Sequence, residues 1–158
     1  MARVALDDAD LRILAVLQED ADISIARLSV LAAMSANACW RRVKRLEETG
    51  VIARRVALLD AERLGLTTTV FVAIRASEHS EEWLKRLSDA VLDIPEVVEF
   101  YRMAGDIDYL LKLRVASIAA YDAVYRRLIR SVNLTDVSST FSMEEIKCTT
   151  SLPLARDH

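Results

Sequence analysis

Between Met34 and Gly50 the chain reads MSANACWRRVKRLEETG. Arg41, Arg42, Lys44 and Arg45 crowd together there, and Asn37 stands about one helical turn before the first of them. Guanidinium and ammonium groups neutralise phosphates. Asn can pair bidentately with adenine, and Arg with guanine, in the DNA major groove. Ser35 suits a helix cap and Gly50 a helix stop. Trp40, Val43 and Leu46 recur at a three-residue step beside Cys39, which predicts a buried apolar stripe with the cations on the opposite face. Side chains near the N-terminus of such a helix reach base edges, here Ser35, Ala36, Asn37 and Arg41. Arg42, Lys44 and Arg45, with Arg54 and Arg55 beyond the helix, are expected on phosphates. Trp40 could stack on a base and Cys39 could serve as a thiol sensor, but their place on the apolar stripe assigns both first to core packing. Taken alone the segment reads equally well as a solvated basic face, so its neighbourhood decides.

That neighbourhood is helical. Asp7 caps a predicted helix to about Glu19, with Asp10 in its acid-favoured first turn. Leu11, Leu14 and Leu17 form its stripe, flanked by Ile13 and Val16. After Asp20-Ala21-Asp22, Ser24 caps a second helix carrying Ile25, Leu28 and Leu31, and it joins the DNA-contacting set. A short break at Ala32-Ala33-Met34, without the usual turn glycine, leads into the basic helix. Two helices so joined form a helix-turn-helix. Val51 to Leu59 is β-prone and reads as a wing whose Arg54 and Arg55 reach the DNA backbone.

Composition agrees with a head and a body. From Ser35 to Arg55 there are six bases against two acids, whereas from Ala61 onward 12 Lys and Arg face 15 Asp and Glu. The overall charge of -3 therefore conceals a concentrated positive segment. With 53% hydrophobic residues, three glycines and two prolines, a packed core is expected and long linkers are not. No run approaches a membrane span, and the first residues lack a secretory signal's apolar core. Cys39 and Cys148 lie far apart, so no disulfide framework is expected, and a reducing cytoplasm is the default. The two histidines, His79 and His158, have no cluster at metal-ligand spacing, and no phosphate loop or nucleophile–base pair is visible. No metal or cofactor is predicted, and an enzyme is disfavoured.

The domain reading is a winged helix-turn-helix over 1–60, a hinge over 61–66 and a body over 67–158. In the body, Thr67–Arg75 alternates as a strand, and Ser80 caps a helix with Trp83, Leu84, Leu87 and Val91 inward. Val97–Met103 and Asp108–Val115 are strands about a turn at Ala104-Gly105-Asp106. Ser117 caps a helix with Ile118, Tyr121, Val124, Tyr125 and Leu128 inward, and Val137–Lys147 is a last strand. The order βαββαβ is ferredoxin-like, so the fold class is α+β. Such a sheet has helices on one face only. Val137, Phe141 and Met143, or their pleat neighbours, are expected to pair the open face with a second copy. A homodimer would present two basic helices to a palindromic operator.

Three stretches in order, MSANACWRRVKRLEETGVI, AGDIDYLLKLRV and the closing MEEIK, resemble the Lrp/AsnC family of feast/famine transcriptional regulators over about residues 6–154. Cys39-Trp40, VALLD, Glu82-Trp83, RMAG and TTSLP are similar to the family's DecR-like, cysteine-responsive branch. The resemblance implies that the body binds a free amino acid, with cysteine a candidate, near the hairpin formed by Met103, Ala104, Gly105, Asp106, Asp108 and Tyr109. A neighbouring subunit would add contacts, for which Ser139 and Thr140 are nominated. It also implies homodimers assembling into higher oligomers such as an octamer. Turn amides can receive the carboxylate and Asp106 or Asp108 the ammonium. A tight turn without ligand remains the plain reading of Gly105-Asp106, and an architectural DNA binder without effector is the rival function.

Overall fold

The computed structural model describes residues 4–76, 80–131 and 134–154, so His79 and His158 lie outside the described residues. The elements are α1 (Asp8–Leu17), α2 (Ile25–Leu31), α3 (Ala36–Glu48), β1 (Thr68–Ala76), α4 (Glu81–Leu92), β2 (Val97–Arg102), β3 (Tyr109–Val115), α5 (Ile118–Ser131) and β4 (Leu134–Phe141). The chain divides into two units, Met1–Leu58 with Lys147–His158, and Leu59–Ile146.

The head is a three-helix unit whose ends are chemically specified. The hydroxyls of Ser24 and Ser35 accept from the amides of Arg27 and Ala38 at 3.2 and 3.3 Å, capping α2 and α3. Asp7 and Asp10 form a reciprocal capping box on α1. At the turn after α2, Ala33 takes the left-handed conformation with φ +54°. Met34 N donates to Ser29 O at 3.0 Å and Ala33 N to Val30 O at 3.1 Å, a Schellman pair without glycine. At the end of α3, Gly50 fills that same role with φ +73°.

The core of the head departs from the predicted stripes, for one geometric reason. At about 100° per residue, a three-residue step slips roughly 60° round the helix each time. On α1 the buried positions are Asp10, Ile13 and Leu17, with Leu11 and Leu14 only partly covered. On α2 Leu28 and Ser29 are buried, whereas Leu31 is exposed. On α3 Cys39, Val43 and Leu46 are buried, and Trp40 is turned out to solvent.

Residues 53–60 form no strand, so the predicted wing has no ladder within one chain. The C-terminal tail instead packs on the head. Gln18 exchanges two side-chain hydrogen bonds with the backbone of Leu152, at 3.0 and 3.3 Å, and Ser151 Oγ donates to Glu19 at 2.8 Å. The tail therefore belongs with residues 1–58 and not with the body.

The body is an antiparallel sheet in the order β2-β3-β1-β4 with α4 and α5 on one face. Register sets which side chains they cover. Val70, Val72 and Ile74 of β1 pair with Leu113, Leu111 and Tyr109 of β3, and all are buried under Trp83, Leu87, Val124 and Leu128. The same register decides between the two alternatives for the open face, in favour of the pleat neighbours. Val137 stands opposite Ile74 and Phe141 opposite Val70, so both point to the helices, and Met143 lies past the end of β4. The open face carries their pleat neighbours Ser138 and Thr140 with Phe71, Ala73, Leu110 and Tyr101. Among the described residues, no helix is long and apolar enough to cross a membrane.

Candidate nucleic-acid interface and effector hairpin

With Cys39, Val43 and Leu46 facing inward, the outward arc of α3 holds Asn37, Trp40, Arg41 and Lys44, with Ala36 at its start. Ser35, Ala36, Asn37 and Arg41 are all exposed, as base reading requires. Arg41 and Arg54 have no ion pair among the described residues, and Arg41 lines a shallow cleft with Asp7, Ala38, Arg42 and Arg45. Lys44 makes an exposed contact to Glu47 at 3.3 Å, and Arg55 bonds to Glu47 and the carbonyl of Ala21 at 3.1 Å each. Such surface contacts exchange readily for phosphate.

Arg42 and Arg45 are placed otherwise. The Asp10 side chain is 1% exposed, and a buried carboxylate must be paired. Arg42 Nη1 donates to Asp10 Oδ1 and to both oxygens of Asp7, each at 2.8 Å, and Arg45 Nη2 donates to Asp10 Oδ2. The amide of Asp10, and after it the Arg42 guanidinium, hold the Asp7 carboxyl below the usual carboxylate range. Two cations assigned to phosphate thus tie α3 to α1. The pairing was not legible in sequence, because Asp7 and Asp10 already had a local role as caps.

Trp40, expected in the core, is also placed otherwise. It is 51% exposed and stands outside the packed core of the head. Its phase relative to Cys39 was the available signal: an i, i+4 pairing of Cys39 with Val43 excludes Trp40 from the same arc.

The 103–108 hairpin joins β2 to β3 and is tied to the end of β1. Met103 N donates to Asp108 O at 2.8 Å, Asp108 N to Ile74 O at 3.0 Å, and Ala76 N to Asp108 Oδ2 at 2.8 Å. Asp108 therefore helps to fix the turn. Gly105 adopts φ +136°, with open space where a Cβ would stand, so glycine is needed for its backbone and not for close packing. Met103, Ala104, Gly105 and Asp106 are exposed. Arg75 Nε donates to Asp106 O at 2.8 Å, and its Nη1 lies 3.7 Å from Asp136. This places a cation beside the turn that sequence reading did not nominate. Only the pairing of Ile74 with Tyr109 brings Arg75 there.

Tyr109, Ser139 and Thr140 do not share that surface. The Tyr109 ring is 3% exposed and packs between Trp83 and Phe100, with centroids 5.7 and 5.8 Å away. Ser139 points to the helix side, where its hydroxyl hydrogen-bonds with that of Tyr121, and Thr140 points to the open face. Adjacent strand residues alternate faces, so these two do not line one wall of the same chain. Among the described residues, no cluster of His, Cys, Asp and Glu is disposed to hold a metal.

Two stretches of the chain match known families. Residues 6–53 match a winged helix-turn-helix DNA-binding family, and residues 69–152 match the Lrp/AsnC ligand binding domain. The chain is 58% identical to the glutamate uptake regulatory protein of Zymomonas mobilis, over 94% of this chain and 91% of that protein. It is 47% identical to the DNA-binding transcriptional activator DecR of Escherichia coli K12, over 94% and 99%. An AsnC family transcriptional regulator from Agrobacterium tumefaciens superposes with a TM-score of 0.91 at 54% identity, covering 94% and 97%. A transcriptional regulator from Neisseria meningitidis, solved as an L-Met complex, gives 0.90 at 33%, with the same coverage. With a winged helix-turn-helix match over residues 6–53, a ligand-binding domain match over residues 69–152 and regulators as its relatives, this chain is a DNA-binding transcriptional regulator, not an enzyme, and belongs to the Lrp/AsnC family.

Proposed function

We propose that the protein works as a homodimer, built into larger assemblies such as an octamer, and that a free amino acid at the 103–108 hairpin changes how its dimers associate and so how its α3 helices are spaced on DNA. The observation that carries this reading is the outward arc of α3, where Asn37, Arg41 and Lys44 stand together without a core to serve. Two such helices related by a dyad suit a pseudo-palindromic operator. Ser35, Ala36, Asn37 and Arg41 read bases, while Lys44, Arg54 and Arg55 hold phosphates. The open sheet face around Phe71, Leu110 and Tyr101 is the surface for the dimer.

At the hairpin, the Asp106 carboxylate suits the effector's ammonium, and the turn amides with Arg75 suit its carboxylate. Complementary charges at both ends of a small zwitterion favour an α-amino acid. Cysteine is the first candidate because of the DecR likeness. Glutamate and methionine follow from the other relatives' names. An effector that prefers one assembly state shifts the population of heads competent for a given operator.

Selection of bound DNA fragments with and without cysteine, glutamate, methionine and leucine, alongside sedimentation of the protein, tests the proposal. A consensus that shifts with one amino acid, together with a change in particle size, is expected. If no amino acid alters either, the protein is an architectural DNA binder.

A further inference from the structure

We propose that Trp40 reads sequence: its indole packs against the 5-methyl groups of thymines in the major groove. This rests on the reading that α3 enters that groove. The two tryptophans of the chain have opposite fates. Trp83 is buried in the body at 2% exposure, whereas Trp40 is half exposed on the surface of the head. On α3 its neighbours are the small Ala36, the amide of Asn37 and the cation of Lys44, and the last two match a polyanion better than an apolar protein partner. At about 100° per residue it lies roughly 40° from Lys44 and roughly 60° from Asn37. A helix that seats those two against backbone and bases therefore carries the indole into the groove with them.

What the indole meets there follows from groove chemistry. The major-groove edges present acceptors, amino donors and one apolar group, the thymine methyl. Indole has a single N–H donor and no acceptor, and its remaining surface is apolar. Methyl groups are thus its complement, and runs of thymine beside an adenine read by Asn37 are the favoured context.

The test uses the full-length protein and an operator obtained by selection. Each thymine is replaced in turn by deoxyuridine, which removes only the methyl. At one or two positions per half-site, wild-type affinity is expected to fall by about fourfold for each methyl lost. Trp40→Ala is expected to weaken binding to the methylated operator and to become indifferent to deoxyuridine at those same positions. Its salt dependence should be unchanged, because no phosphate contact is removed. DNA should also shield Trp40 emission from acrylamide, a signal separable from buried Trp83. Wild-type indifference to every deoxyuridine, or an equal loss in Trp40→Ala on both templates, would overturn the proposal. So would a Trp40→Ala protein whose only change is in particle size, since the indole would then serve a contact between protein chains. Footprinting of the wild type keeps the two levels apart: a protected operator with no methyl dependence refutes the role of Trp40 alone, and no protected operator refutes operator reading itself.

Discussion

Replacing Asp10 by Asn should weaken the head and, at the same time, steepen the salt dependence of DNA binding. Asp10 is nearly sealed from solvent and receives both Arg42 and Arg45. Asn keeps the shape, but it withdraws the negative charge and turns a donor toward one guanidinium. Hydrogen bonds to charged groups contribute about 1.5–3 kcal/mol when buried. Arg42 and Arg45 are 32% and 45% exposed, so water takes up part of the loss. The net destabilisation should be about 2 kcal/mol. In amide hydrogen exchange on the full chain, protection of the α1 and α3 amides should fall by about 30-fold. Arg45, whose carboxylate partner is Asp10, is released and becomes available to phosphates, whereas Arg42 keeps both oxygens of Asp7. Each new phosphate contact adds about 0.9 to the slope of log affinity against log salt, so the slope should rise by about 0.9 per protomer. Arg42→Gln is the companion variant. If Asp10 is its partner, protection drops although the substitution is at the surface, and the effects of the two variants are not additive. Unchanged protection and an unchanged slope in Asp10→Asn would refute the clamp and return both arginines to the phosphate set.

Three further outcomes are expected. Ala33→Gly removes the strain of a left-handed alanine, which is of order 1–2 kcal/mol before glycine's entropy offsets part of it, so exchange protection of α2 and α3 should rise by a few-fold. Asp7 has a depressed carboxyl pKa, so its contribution is present above the unfolded value of about 3.9 and is lost as pH falls through the lower folded value; acid titration of Asp7→Asn should show a flatter limb there, by well under about 1 kcal/mol because the side chain is mostly exposed. Asp106→Asn should leave the fold and DNA affinity intact while reducing amino-acid binding by about tenfold in calorimetry, since only its backbone carbonyl is used by Arg75; Gly105→Val is the poorer probe, because φ +136° strains any side chain there.

Much of the architecture is written locally. Ser24, Ser35 and Ser80 mark helix starts, because a hydroxyl at that position meets an amide regardless of what lies beyond. The alternation of Val70, Val72 and Ile74 sets a buried face because the pleat has a period of two. The hairpin turn is equally local, since Gly105 must supply a backbone that other residues avoid. Helix faces in the head were harder. Leu11-Leu14-Leu17, Ile25-Leu28-Leu31 and Trp40-Val43-Leu46 all step by three, and that step drifts off the buried arc within two turns. In α4, Trp83-Leu87-Val91 steps by four and stays on it.

What tertiary structure alone decided involves partners distant in sequence. Burial of Asp10 recruits Arg42 and Arg45, which turns two apparent phosphate ligands into an internal clamp. Strand pairing brings Arg75 to the Asp106 turn and sends Ser139 toward Tyr121 and Thr140 away from it. The tail joins the head through Gln18 and Leu152, against its position in the chain. Local chemistry determines where helices begin and which strand positions alternate. Which charges stay available for DNA depends on long-range burial, and that energy exists only once the elements have packed.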